Sequence, residues 1–140
     1  MKIPPKFDIA NLPTPVQRVK FNQTGFYIKR DDMTGVELSG NKIRKLEYLL
    51  YRAKKIKADY IFTCGAVQSN HCRATALAGL SVGIKSKLFL WGSDQKFPDS
   101  NLFINKIVNS KVEYLNWNKY QHVNEIMEEQ KRSFNKINYS

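Results

Sequence analysis

Residues 59–83, DYIFTCGAVQSNHCRATALAGLSVG, decide the fold. Asp59 to Cys64 has the aromatic and β-branched content of a short buried strand, and Gly65 breaks it. From Ser69 to Gly83 small residues dominate, which suits a helix packed closely on a sheet. The same alternation continues toward the C-terminus. Ser86 to Trp91 (SKLFLW) is expected as a strand, Asn101 to Val108 as a helix and Lys111 to Leu115 as a strand. Val123, Ile126, Met127, Gln130, Phe134 and Ile137 mark one face of a closing helix. Strands separated by helices imply right-handed βαβ units, and therefore an α/β fold: an open parallel sheet with helices on both faces.

Toward the N-terminus, Ile43, Leu46, Leu49, Leu50 and Ala53 recur at helical spacing, opposite Arg44, Glu47, Arg52 and Lys54, with Asn41 or Ser39 as the cap. Gly25 to Arg30 (GFYIKR) reads as a short strand and DDMTG after it as a turn. Met1 to Thr24 carries Pro4, Pro5, Pro13 and Pro15 with little periodicity, so it is expected to run extended over a surface as an arm rather than a core.

With 140 residues, 42% hydrophobic and 25% charged, the chain suits one globular domain rather than a disordered segment. No apolar run reaches the roughly 18 to 20 residues that cross a bilayer, and no signal-peptide pattern opens the chain, so a cytoplasmic location is expected. Cys64 and Cys72 fall at a strand end and in a helix, and are expected as reduced thiols. A zinc site needs about four ligands, and the histidines are only His71 and His122, so no metal is expected. The net charge of +11 would attract nucleic acid, an anionic membrane or an anionic small molecule, or reflect a lysine-rich solvated surface. No base-reading motif supports a nucleic-acid partner.

Two stretches carry candidate chemistry. In Ser39-Gly-Asn-Lys-Ile-Arg-Lys45 three cations occupy the first turn of a helix, where the helix dipole makes cations unfavourable. A lysine beside other cations has its ammonium form disfavoured, and the neutral amine is what attacks an aldehyde; the same field would suit a phosphate. Solvated lysines at a frayed end are the alternative. In Cys64-Gly-Ala-Val-Gln-Ser-Asn-His71 the chain leaves the carboxyl end of a strand, the usual ligand side of an open α/β sheet. Freed N–H groups at Ser69, Asn70 and His71 can grip a carboxylate, or Ser and Asn can simply cap the helix. The dinucleotide GxGxxG, the P-loop and the GxSxG elbow are all absent.

Four segments in order give these stretches a specific context: LPTPVQRV (Leu12 to Val19), YIKRDDMTG (Tyr27 to Gly35), SGNKIRKLEYLL (Ser39 to Leu50) and TCGAVQSNHCRATA (Thr63 to Ala76). Together they resemble the pyridoxal-phosphate (PLP) dependent D-cysteine desulfhydrase and 1-aminocyclopropane-1-carboxylate deaminase family, of the tryptophan-synthase-β-like fold type II. The resemblance extends through the segment Asn101 to Glu129. It implies that Lys42 holds the cofactor as a Schiff base and shuttles protons. It also implies that Asn70 hydrogen-bonds the cofactor's 3-hydroxyl oxygen, and that Ser69 is a nucleophile or proton-transfer group. Asn41 and the turn Gln68, Ser69, Asn70, His71 would bind the substrate carboxylate.

The implied activity converts D-cysteine to pyruvate, hydrogen sulfide and ammonia, with deamination of 1-aminocyclopropane-1-carboxylate as the alternative; His71 after Ser-Asn favours the desulfhydrase. A homodimer is implied for the full-length family. Two departures stand out. Ala66 occupies a usual glycine position, and family members run much longer, with the glycine-rich phosphate cradle in the part this chain lacks. Residues 1–38 are then an arm and strand of the larger PLP domain and 39–140 the small α/β domain. The expectation is a truncated product, and a non-catalytic α/β remnant that binds or dimerises is the rival from another class.

Overall fold

The computed structural model describes residues 3–35 and 40–137, with side chains as far as Ser133. Ser39, and the side chains of Phe134 and Ile137, lie outside the described residues.

An antiparallel hairpin, β1 (Val16–Phe21) and β2 (Thr24–Lys29), precedes the α/β unit. Then follow α1 (Lys42–Lys55), β3 (Tyr60–Ala66), α2 (Asn70–Ser81), β4 (Lys85–Trp91), α3 (Ser100–Ile107), β5 (Lys111–Leu115), the short α4 (Trp117–Tyr120) and α5 (Val123–Ile137). Strands β3, β4 and β5 form a parallel sheet in that order. Because side chains alternate across a strand, Leu88 and Leu90 meet Cys72, Ala76 and Leu102 on one face, whereas Phe89 and Leu115 meet Val123 on the other. Helices α2 and α3 therefore cover one face and α5 the other, as the alternating pattern predicts.

Helix α1 lies beside α2 rather than over the middle of the sheet. Ile43, Leu46 and Leu50 pack on Ala74 and Ala78, together with Ile84. The two helices run parallel: the Lys42 charge acts on His71 at their N-termini, and Lys54 Nζ donates to the Val82 carbonyl at 2.9 Å at their C-termini. Small residues make this geometry possible. A Cβ on Gly79 would come within 2.9 Å of the Ile84 carbonyl oxygen. One on Gly65 would lie 2.6 Å from Ser69 Oγ and 2.8 Å from Cys72 Sγ, so the strand end and the first turn of α2 meet only without a side chain there.

The sequence expectation differs from the structure in four places. The apolar face of α1 is centred on Ile43, Leu46, Glu47 and Leu50, not on Leu49, which is 55% exposed. Glu47, expected on the solvent side, is 1% exposed, because backbone donors of the N-terminal segment need an acceptor there. Its Oε1 accepts from Ile9 N at 2.8 Å and Ala10 N at 2.9 Å, and its Oε2 accepts from Lys6 Nζ at 2.8 Å. The segment before residue 24 is accordingly more than an arm: Phe7, Ile9 and Ala10 pack on the α1/α2 core, and Val16–Phe21 is a strand. Asn41 occupies the N-cap position of α1, but has helical dihedrals and makes no side-chain capping bond.

Gln130, a polar residue on the apolar face of α5, donates to Glu113 Oε2 at 2.8 Å, and Lys87 pairs with the same carboxylate at 3.0 Å. Both cysteines carry free thiols, and burial pushes the Cys72 thiol up to about 11, which leaves it unreactive. No helix among the described residues is long and apolar enough to cross a membrane.

Burial pushes the Glu47 carboxyl up, but the bonds from Ala10, Lys6 and Ile9 outweigh it and hold the group below the ordinary glutamate range. A depressed carboxylate contributes stability above its unfolded pKa and loses it as pH falls through the folded value. Urea unfolding of Glu47→Ala is expected to show a loss of about 3 kcal/mol. Stability should decline below the ordinary glutamate range in the wild type, and less steeply in Glu47→Gln. Gly65→Ala is expected to cost about 1–3 kcal/mol in the same assay, through the clash with Ser69 and Cys72.

Candidate active site at the paired helix N-termini

The register of the sheet brings Ala66, Trp91 and Leu115 to one edge, the carboxyl ends of the three strands. Helix α2 starts from that edge after β3, and α1, being parallel to α2, starts beside it. Lys42 and the turn from Gln68 to His71 thus meet at one place, although 26 residues of sequence separate Lys42 from Gln68. Two helix N-termini side by side concentrate unbonded N–H groups and positive potential, a setting suited to an anionic ligand.

Of the three cations at the start of α1, Arg44 is the one with a side-chain partner among the described residues. Arg44 grips Asp31 through both oxygens, Nε to Oδ2 at 2.9 Å and Nη2 to Oδ1 at 2.8 Å, and Thr14 Oγ1 donates to the same carboxylate at 2.9 Å. The Arg44 and Thr14 hydrogen bonds hold the Asp31 carboxyl below its usual range despite partial burial. Asp31 also accepts at its backbone oxygen from Gly40 N at 3.1 Å. The residue that follows the hairpin thus fixes the entry into α1, and Arg44 is neutralised. Lys42 and Lys45 are exposed.

Ser69 is the N-cap of α2, its Oγ accepting from Cys72 N at 3.2 Å, so the capping role that Ser permits is realised. His71 is half-buried and its Nδ1 is buried without a hydrogen-bond partner among the described residues. Burial, and then the Lys42 charge, lower the His71 pKa, which keeps the imidazole neutral at neutral pH. Asn70 is exposed and Asn41 is exposed; Asn41 makes no bond to the other site residues.

Sequence reasoning missed the neighbours of this turn on the β4–α3 connection. Gln68 Nε2 donates to Asp99 Oδ1 at 2.8 Å, and Gln68 Oε1 accepts from Asn101 N at 3.0 Å. Asn101 Nδ2 donates to the Gln68 carbonyl at 2.7 Å and to Asn70 Oδ1 at 2.9 Å. The N-cap of α3, Asp99, makes no capping bond of its own, so Gln68 serves as the cap from the turn that precedes α2. Farther along the loop, Asp94 accepts from Lys106 Nζ at 2.6 Å and from the Tyr114 hydroxyl at 2.8 Å. The orphaned first N–H groups of α3 were the one available sign that an acceptor must arrive from elsewhere. Among the described residues there is no group of three or more His, Cys, Asp or Glu that could hold a metal.

A family model described as "Pyridoxal-phosphate dependent enzyme" matches residues 8–138. A Thermotoga maritima protein provisionally named 1-aminocyclopropane-1-carboxylate deaminase is 41% identical over 131 residues, 91% of this chain and 42% of the relative. The mitochondrial bifunctional D-cysteine desulfhydrase/1-aminocyclopropane-1-carboxylate deaminase of Arabidopsis thaliana is 40% identical over 126 residues, 84% of this chain and 31% of the relative. The crystal structure of an ACC deaminase homologue superposes with a TM-score of 0.76 at 36% identity, covering 93% of this chain and 42% of that one. This chain therefore spans well under half the length of the relatives it matches. The fold is that of the fold-type II, tryptophan-synthase-β-like enzymes, and by the match over nearly its whole length the chain belongs to the pyridoxal-phosphate dependent enzyme family, among the homologues of 1-aminocyclopropane-1-carboxylate deaminase and D-cysteine desulfhydrase.

Proposed function

We propose that this chain provides the lysine-bearing part of a PLP-dependent lyase acting on a small amino acid, with D-cysteine desulfhydration as the first reading and 1-aminocyclopropane-1-carboxylate deamination as the second. The observation that carries it is the side-by-side packing of α1 and α2 through Ile43, Leu46, Leu50, Ala74 and Ala78, tied at the far end by Lys54 to Val82, which opens both helix starts at one place with the Lys42 charge felt at His71. The residues present fit such a cofactor: an exposed lysine amine, a buried His71 Nδ1 with no partner among the described residues, and the free N–H groups of helix starts lie together. When bound, PLP supplies an electron sink for the carbanion formed at the substrate α-carbon.

In this reading Lys42 holds the cofactor and carries the proton to and from that carbon. Asn70 donates to the 3-hydroxyl oxygen. Backbone N–H groups at the start of α2, with Asn41 and the side chains of Gln68, Ser69 and His71, bind the substrate carboxylate. His71, neutral at neutral pH, offers a hydrogen bond without adding charge. Ser69 Oγ already accepts from Cys72 N, so a role as nucleophile or proton carrier requires its hydroxyl hydrogen, which that bond leaves free.

Residues 1–38 belong, in this proposal, to a larger domain and 39–140 to a smaller one, in a cytoplasmic homodimer. The hairpin supports the division. Val16, Phe21, Phe26, Tyr27 and Ile28 are all exposed, and a lone two-stranded hairpin is marginal in water. The same exposure is what a non-catalytic remnant would display, so the experiment must separate the two.

Purified chain is to be incubated with PLP, reduced with borohydride and mapped by peptide mass. A single labelled peptide containing Lys42, absent in Lys42→Ala, is the expected outcome. Label scattered over the surface lysines and unchanged in Lys42→Ala would overturn the proposal in favour of the remnant.

A further inference from the structure

Asn101 links α3 to the turn that precedes α2, and its bonds leave no freedom in how the neighbouring amides are oriented. Its Nδ2 donates to a backbone carbonyl, that of Gln68, at 2.7 Å, and a carbonyl can only accept. The second hydrogen of the same Nδ2 reaches the Asn70 side chain at 2.9 Å, so Asn70 must turn its oxygen toward Asn101. Gln68 is pinned by the same logic: its Oε1 faces the Asn101 N–H at 3.0 Å and its Nε2 the Asp99 carboxylate at 2.8 Å. Each amide orientation follows from a backbone group or a carboxylate, not from a choice between two equivalent flips. Asn70 is left with its Nδ2 on the far side, in the exposed part of the turn, making no hydrogen bond among the described residues.

We propose that Asn101 is a positioning residue for this site: by occupying Asn70 Oδ1 it obliges Asn70 to present an N–H donor, and so selects a ligand atom that is an anionic or carbonyl-type oxygen. This rests on the reading of Asn70 as a cofactor contact, and it specifies that contact. A phenolate oxygen fits the donor; a ligand N–H or protonated hydroxyl in donating orientation does not. The role of Asn101 in this proposal is exerted through its bonds to Gln68 and Asn70. Helix α3, which carries Asn101, is tied separately through Lys106 to Asp94, which also accepts from Tyr114, so the donor geometry is braced from outside the turn.

Two measurements on the full chain test this. The first needs no cofactor: side-chain amide relaxation of Asn70 by NMR in the wild type, Asn101→Ala and Asn101→Asp. Asn70 is expected to be ordered in the wild type and to lose that order in both variants, because aspartate keeps the shape of Asn101 but donates nothing. An Asn70 amide that is equally ordered in Asn101→Asp, or already disordered in the wild type, would overturn the proposal. The second is PLP binding followed by borohydride trapping. Asn101→Asp and Asn70→Ala should each weaken binding about tenfold, and the double variant should be no weaker than either. Additive losses would mean that Asn101 acts by some route other than Asn70, and would overturn it too. If the wild type forms no Lys42 adduct, the proposed function fails, and the relaxation measurement still decides whether Asn101 orients Asn70.

Discussion

The parallel packing of α1 along α2 is the constraint on which the rest of the site depends. Ile43, Leu46 and Leu50 can lie against α2 only because that helix presents Ala74 and Ala78, and α2 can lie on the sheet only because Gly79 leaves room for the Ile84 carbonyl. Two parallel helices align their dipoles unfavourably, and apolar burial along their length must offset that cost. The reward is positional: both N-termini open at the carboxyl edge of the sheet, and Lys42 arrives beside the turn from Gln68 to His71. Gly65 adds the last element, letting the end of β3 touch the first turn of α2.

Around this pair the protein uses long-range polar contacts as fasteners. Glu47 is the most consequential, since one buried carboxylate satisfies two backbone N–H groups and an ammonium, and holds the N-terminal segment across the outer side of α1. Asp31 does the corresponding work at the entry to α1 by engaging Arg44 and Thr14. On the other side, Gln68 and Asn101 bind the starts of α2 and α3 to one another. The site is consequently braced from three directions: by the arm, by the turn after the hairpin and by the β4–α3 loop.

The division between what the sequence disclosed and what it concealed follows the range of the interactions. Strand β3 and helix α2 were legible because their signals are local: a β-branched and aromatic run, a glycine, then Ser69 as a cap with small residues behind it. Lys42 and the Ser-Asn-His turn were legible as chemistry, because cations at a helix start and freed N–H groups after a strand contradict local preference. Glu47 was misplaced because helical periodicity puts any glutamate outside unless a partner is known, and its partners lie 37 to 41 residues away. Asn101 was invisible for the same reason. Strand β1 was hidden because its residues are exposed on nearly every side, so no hydrophobic alternation marks it.

The central claim is that Lys42 and the α2 turn share one electrostatic environment, and it can be tested without any cofactor. The direct measurement is an NMR titration of the His71 imidazole in the wild type and in Lys42→Met. In the wild type His71 should titrate below the ordinary histidine value, and removing the Lys42 charge should raise its midpoint while leaving the part of the shift that burial causes. A His71 midpoint indifferent to Lys42→Met would mean that the two helix N-termini do not face a common site, and the account would fail at its foundation.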